Sequence, residues 1–405
     1  MKIAFIVTEF PALSETFILG QIVGIIRAGH SVEIFAKTGK TRQKEHSDIE
    51  KHDLKKYAHY FSKMPANKTI RILKALWLGI INFYKSPAMI IRAFNLNRFK
   101  TVRQVYTLIP FLGKNFDVIH CHFGPNGIIG TDLKLLGMKG KIITSFYGYD
   151  VSSYVQKKNP YQMLFASGDT FIAISEQMRH TLQNLGCPDE RIVKLPLSVR
   201  VSDFSFKQRC VPETGPIQIL TVARLTEKKG LEYAIRAIAL IVKDNPAYKL
   251  YYRIAGDGTL RKTLEALIEK LGMKSSIQLL GWKTDEEVRL LYDQAHLFLL
   301  PSITAEDGDQ EGTPTVLLEA QAEGLPFIAT IHAGIPEIVL DGQSGFLVQE
   351  KDVDALAEKL NYLIKHPEKW REMGKAGHEF VKNSFDAKII NTQLIEIYEK
   401  CLKRS

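Results

Sequence analysis

Glu311-Gly312-Thr313-Pro314-Thr315-Val316-Leu317-Leu318-Glu319 reads as a loop running into a helix. Thr followed by Pro is a strong helix start, with Thr313 as N-cap and Pro314 at the first helical position, where its missing N–H costs nothing. Gly324 and Pro326 mark the end. Glu311 then sits in the loop just ahead of the helix, and Glu319 lies on it more than a turn in. A helix N-terminus behind a small Gly-Thr step offers unpaired backbone N–H groups to an anion. A carboxylate on each side of such a site can accept hydrogen bonds from hydroxyls at both ends of a sugar nucleotide. Two glutamates alone fit an ordinary acidic helix surface better.

Two further loops change that balance. After the apolar run 217–222 comes Ala223-Arg224-Leu225-Thr226-Glu227-Lys228-Lys229-Gly230, so Arg224 and Lys229 leave the carboxyl end of a strand, where a diphosphate would sit across a cleft. Ile254-Ala255-Gly256-Asp257-Gly258-Thr259-Leu260-Arg261 is again strand, glycine turn and helix. It is no dinucleotide fingerprint, because Arg261 stands where the last small residue is needed. Three strand-end loops, each suited to part of a nucleotide diphosphate group, are stronger together than any one.

The rest of the chain alternates in the same way. Residues 2–8 form an apolar run, a helical pattern follows through Ile26, and a turn at Ala28-Gly29-His30 leads to a second strand at 31–36. This β-α-β unit calls for a parallel sheet, and further strands read at 117–120, 141–146, 170–174 and 192–195. Residues 204–216 break into charge, two prolines and a glycine, a linker signal. Beyond it the alternation restarts at 217–222, 249–255, 276–280, 297–300 and 326–330. The expectation is two doubly wound α/β domains, 1–203 and 217–385, with the ligand site in the cleft between them at the carboxyl ends of the strands.

Composition agrees. The chain has 405 residues, 45% hydrophobic and 24% charged, which suits two soluble globular domains and excludes a disordered or fibrous protein. No apolar stretch approaches the ~20 residues of a spanning helix, and the start lacks the cleavage site of a signal peptide. The cysteines, Cys121, Cys187, Cys210 and Cys401, are scattered without metal-ligand spacing, as expected of a reduced, cytoplasmic protein.

The net charge of +10 is local. Residues 54–116 contain no Asp or Glu and twelve Lys or Arg, Arg98 and Lys100 among them, which leaves the remainder near −2. Within this segment Ile70, Leu73, Leu76, Trp77, Ile80, Ile81 and Tyr84 recur at helical spacing, and Lys68, Arg71, Lys74, Asn82 and Lys85 fall on the other side. A basic amphipathic helix with a Trp on its apolar arc reads as an interfacial membrane binder. The competing reading packs the apolar arc on its own domain. Nucleic acid ranks last, since no recognised binding motif accompanies the charge.

Taken together these motifs resemble the retaining glycosyltransferases of family 4, which have the GT-B fold of two Rossmann-like domains. The match runs essentially the whole length. It rests on Arg224 to Gly230, Gly256-Asp257-Gly258, Pro301-Ser302, the E-x7-E pair Glu311/Glu319, Gly324-Leu325-Pro326, Gly334-Ile335-Pro336-Glu337, and Asp341-Gly342 with Gly345-Phe346. Phe10-Pro11 with Ser14-Glu15-Thr16-Phe17, and Ala305-Glu306-Asp307-Gly308-Asp309, look like the branch acting in bacterial exopolysaccharide assembly, including colanic-acid-type enzymes.

The resemblance implies a retaining transfer of a hexose from a nucleotide diphosphate sugar to a saccharide acceptor, plausibly lipid-linked at the inner membrane surface. It also implies that residues 386–405 cross back onto the first domain. Arg224 and Lys229 would hold the diphosphate, Glu319 the ribose and Glu311 the donor-sugar hydroxyls. The N–H groups near Thr315 and Val316 would meet the distal phosphate, with Gly256, Asp257, Gly258, Gly312 and Thr313 completing the donor site. One position departs. Where many members carry a histidine, this chain has Ser145-Phe146-Tyr147-Gly148-Tyr149-Asp150. Tyr147 supplies no imidazole, and His120 or His122, expected in the preceding strand-end loop, are the substitutes. The candidate catalytic residues are thus Arg224, Lys229, Glu311, His122 and Tyr147. No metal is required, since no Asp-x-Asp stands at a strand end and Asp307 and Asp309 lie in an insertion. A GT-B epimerase, or a non-catalytic sugar-nucleotide-binding subunit, would share the donor motifs.

Overall fold

The computed structural model describes residues 1–12, 16–39, 47–95, 101–156 and 158–404. Ser14, Glu15, Arg98 and Lys100 lie outside the described residues. Two all-parallel sheets organise the chain. The first holds β1 (Lys2–Glu9), β2 (Ser31–Thr38), β3 (Ala58–Tyr60), β4 (Val118–His122), β5 (Lys141–Phe146), β6 (Thr170–Ala173) and β7 (Ile192–Lys194), in the order β3-β2-β1-β4-β5-β6-β7. The second holds β8 (Ile217–Val222), β9 (Leu250–Ala255), β10 (Ile277–Gly281), β11 (Leu297–Leu300), β12 (Phe327–Thr330) and β13 (Gly345–Val348), in the order β10-β9-β8-β11-β12-β13. Both orders reverse direction beside their first strand, between β1 and β4 and between β8 and β11. At such a switch point the loops diverge and leave a crevice at the strands' carboxyl ends.

The reason lies in the strand sequences. Ile3, Ala4, Phe5 and Ile6 are all fully buried, as a parallel strand covered on both faces demands. Each sheet accordingly has apolar residues packed against both of its faces. The short edge strand β3, Ala-His-Tyr, carries too little apolar signal to be read in advance.

Two local expectations are corrected. The strand read at 117–120 continues through His122, so His120 and His122 lie within β4 and not in the loop after it. Side chains two residues apart on a strand share a face, and both imidazoles are fully buried. At the second site the helix is Thr315–Ala322, one residue later than read. Pro314, with ψ 112°, is the N-cap, and no side chain caps this end. Thr313 is buried instead and packs against Gly334.

The crossover is present. The Glu368–Ser384 helix packs on the second domain, Gly374 lying against Gly324. Asp386 then caps the Ala387–Lys403 helix, which returns to the first domain. There Asn391 Nδ2 donates to Gly20 O at 3.3 Å, and Tyr398 Oη meets His120 Nδ1 at 2.7 Å.

Candidate functional site

A cavity of about 480 Å³ opens between the two sheets, lined by loops from the carboxyl ends of both. From the first domain come Thr16 and Phe17, at the start of the Thr16–Arg27 helix, and the Tyr147-Gly148 turn after β5. From the second come Arg224 and Lys229 after β8, Gly256 and Asp257 after β9, and Glu311 through Val316 with Glu319 after β11. Every residue read as a donor contact except Gly258 lines this one cavity.

The glycines explain the close weave of its floor. Gly256 has φ +144°, and a Cβ there would collide with Ala223 O, so the turn after β9 can press against the turn after β8 only with Gly. Gly258 lies under it against Leu225, whose N–H donates to Asp257 O at 3.0 Å. Gly312 is the other obligatory position. A Cβ there would collide with Tyr147 O, so the two domains touch at this step.

Charge is arranged by depth. Arg224 is exposed to the cleft, whereas Lys229 is buried with its Nζ 2.6 Å from Glu311 Oε1. Burial alone would raise the Glu311 carboxyl. Lys229 and, next, Lys228 outweigh it and hold Glu311 below the ordinary value, hence ionised. Lys228 was not foreseen. Its Nζ donates to Asp309 Oδ1 at 3.1 Å and to Gln310 O at 3.1 Å, tying down the loop that carries Glu311.

His332 was also missed. Its Nε2 accepts the Glu311 N–H at 3.1 Å, so its Nδ1 carries the proton and donates to Glu350 Oε1 at 2.6 Å. Glu350 also accepts from the Thr304 N–H at 2.8 Å. An isolated His in Thr-Ile-His-Ala offers no spacing signal; it acts only because β12 ends beside β11.

Glu319 is the opposite case to Glu311. It is half-buried in the cavity wall and bonded by the Thr315 side chain, no cation among the described residues lies in hydrogen-bond range, and burial pushes its carboxyl up to about 7. Tyr292 donates its hydroxyl to Glu319 Oε2 at 2.9 Å, its own phenol held well above the ordinary range by burial. Between the two glutamates stands the uncapped helix start, with Thr315 and Val316 in the cavity wall. A helix cannot satisfy these first-turn N–H groups itself, so an anion placed there meets donors and the positive end of the helix dipole.

Across the cleft, Tyr147 faces the loop. Asp150 builds its turn by accepting from the N–H groups of Tyr147 (3.0 Å) and Gly148 (2.9 Å), and from Gly124 at the next helix start (3.0 Å). Phe17 packs on the Tyr147 ring, 4.8 Å between centroids. Tyr147 Oη meets His122 Nδ1 at 2.7 Å. His122 therefore sits behind Tyr147 and does not itself line the cavity. Burial keeps its imidazole neutral, well below the ordinary value. His120 is held down to about 3 for the same reason and bonds Ser145 Oγ at 2.8 Å. Neither histidine lines the cavity, whereas Tyr147 does.

The comparisons with known proteins agree with this geometry. Residues 203–380 match the family model for glycosyl transferases group 1, and residues 14–202 that for glycosyltransferase family 4. The chain is 35% identical to WcaL of Escherichia coli K12, named as a colanic acid biosynthesis glycosyltransferase, over 98% of this chain and all of that one. It is 33% identical to the amylovoran biosynthesis glycosyltransferase AmsK of Erwinia amylovora, over 99% of this chain and all of that one. Among solved structures, HepE of Anabaena in complex with UDP-glucose superposes with a TM-score of 0.73, at 17% identity over 99% of this chain and all of that one. The lipopolysaccharide outer core galactosyltransferase WaaB superposes at 0.67, again at 17% identity over 99% of this chain and all of that one. A GT-B pair of parallel sheets, a cleft built from the strand-end loops and full-length similarity to these exopolysaccharide enzymes make this chain a glycosyltransferase of that family.

Proposed function

We propose that the enzyme transfers a hexose, with retention of configuration, from a nucleotide diphosphate sugar to a saccharide acceptor carried on a lipid. The observation that carries this reading is the convergence in one cavity of Arg224, Lys229 and the uncapped start of the Thr315–Ala322 helix, with Glu311 and Glu319 on either side. Two cations and a helix N-terminus suit a diphosphate, and two carboxylates suit hydroxyls at its two ends. HepE, of the same fold, holds UDP-glucose, and WcaL and AmsK are named for exopolysaccharide synthesis; these support the donor class and the saccharide acceptor.

In the reaction the bond between the anomeric carbon and the diphosphate oxygen breaks, and a bond to the acceptor oxygen forms. The acceptor proton passes to the leaving phosphate. Negative charge builds on that phosphate, where Arg224, Lys229 and the N–H groups at Thr315 and Val316 stabilise it as it develops. With three positive elements already in place, a divalent cation is not needed. Glu311, kept ionised by Lys229, accepts from the donor-sugar hydroxyls, and Glu319 from the ribose. Tyr147 faces the donor sugar from the acceptor side. Retention follows from the resemblance to family 4. No helix among the described residues is long and apolar enough to cross a membrane, and the basic segment 54–116 supports a peripheral position on the cytoplasmic face.

The test is thermal stabilisation by a panel of nucleotide sugars, followed by product analysis. One donor should stabilise the wild type and not Glu319→Ala, and Arg224→Ala should lower turnover at least ~100-fold with an unchanged melting temperature, since Arg224 is exposed. Full activity in Arg224→Ala, or an inverted anomeric linkage in the product, refutes the assignment.

A further inference from the structure

The Lys68–Asn82 helix is mounted inside out. Its inward stripe is Ala75, Leu78, Gly79 and Asn82, of which Leu78 is the one large apolar side chain; Gly79 abuts Phe94, and Asn82 donates back to Leu78 O at 3.0 Å. Asn82, which the sequence pattern places on a solvated side, is thus buried, and the large apolar arc faces out. Ile80 is 74% exposed, Tyr84 77% and Trp77 56%, with Ile70, Leu73 and Ile81 beside them. The reading in which this arc packs on its own domain is overturned.

Of the 24 exposed large hydrophobic residues among the described residues, 13 fall between Tyr60 and Phe94. Scattered apolar residues need no explanation, but a contiguous patch of this kind does. Lys63, Lys68, Lys85 and Arg92 of the same stretch are exposed, and residues 54–116 contain no acid at all.

Deepening the membrane-side reading just given, and resting on it for the purpose of the surface, we infer that this face is the docking surface for an anionic lipid bilayer. The arc Ile70-Leu73-Trp77-Ile80-Ile81-Tyr84 enters the headgroup boundary and the lysines meet the lipid phosphates. Charge decides the occupant. A second copy of the chain would set this patch against itself in a two-fold contact, bringing like charges together with no acid in the segment to offset them. A nucleic acid would leave the apolar centre against phosphate. An anionic bilayer satisfies both, with apolar residues and a Trp and Tyr at the interface and basic residues at the surface.

The experiment is co-sedimentation of the full chain with vesicles of phosphatidylcholine alone and of phosphatidylcholine with 30% phosphatidylglycerol. The wild type should bind the anionic vesicles strongly and the neutral ones weakly. Lys68→Ala with Lys85→Ala should weaken binding about fivefold per charge, roughly 25-fold for the pair, and Trp77→Glu with Ile80→Glu should abolish it. Arg71 and Lys74 are left intact, since they hold the carbonyls of Pro65, Ala66 and Lys63 that start the helix. Unchanged melting temperature and donor stabilisation in each variant show that the fold is kept. Absence of binding to anionic vesicles, binding indifferent to Trp77→Glu/Ile80→Glu, or concentration-dependent dimers dispersed by that variant without lipid binding each overturn the proposal. Vesicle binding needs no donor, so a protein that binds anionic vesicles but no nucleotide sugar sinks the transferase site and leaves the dock standing.

Discussion

Replacing Glu319 by Gln should remove a pH dependence that the wild-type site builds into donor binding. Burial raises this carboxyl from an ordinary 4.5 to about 7. The folded protein therefore holds a proton between those values that the unfolded chain has released, and stability falls as pH rises through that window. At 1.36 kcal/mol for each tenfold change, the ionised form costs the empty native state about 3 kcal/mol above pH 7. A ribose donating two hydroxyls to Glu319 reverses the preference, because only the carboxylate accepts both. With the midpoint near 7, roughly a tenth of the protein is ionised at pH 6 and nine-tenths at pH 8. Donor affinity should then rise about tenfold between them, with a proton released per donor bound at pH 6. Titration calorimetry with the stabilising nucleotide sugar, whose diphosphate diester does not ionise in this range, in two buffers of different protonation enthalpy, reads both quantities. Glu319→Gln should bind weakly at either pH with no proton release, and should gain stability over the wild type at pH 8 but not at pH 5. Wild-type affinity independent of pH from 6 to 8, or the same slope in Glu319→Gln, would refute the argument.

Lys229→Met leaves Glu311 buried without its cation, which costs about 3–5 kcal/mol, whereas adding Glu311→Gln should recover most of the loss in a denaturant melt without restoring turnover. Gly312→Ala forces a methyl into Tyr147 O across the cleft; it should widen the gap between the domains in solution scattering and cut kcat. Transfer should survive EDTA undiminished, because Arg224, Lys229 and the helix start carry the charge role.

Much of this protein was decided by the order of its residues. The strands could be read because a parallel sheet covered on both faces demands unbroken apolar runs such as Ile3 to Val7. The donor loops could be read because turns between strand and helix demand Gly, and because Arg224, Lys229, Glu311 and Glu319 carry charge at fixed offsets from strand ends. What lay outside that reach depends on contacts between distant segments. His332 acts on Glu311 only because β12 lies beside β11, and the place of His122 behind Tyr147 follows from adjacent strands in register. The opposed states of the two glutamates are of the same kind. Glu311 is buried and Glu319 half-buried, yet Lys229 folds back onto Glu311, whereas Glu319 meets the Tyr292 phenol and the Thr315 side chain. The Lys68–Asn82 helix makes the point most sharply. Periodicity shows that it has two faces, and leaves open whether the apolar one meets a membrane or packs on its own domain. Only the tertiary structure shows that the face of Ala75, Leu78, Gly79 and Asn82 turns inward, because those residues pack against neighbouring elements, and that the large apolar arc stays exposed.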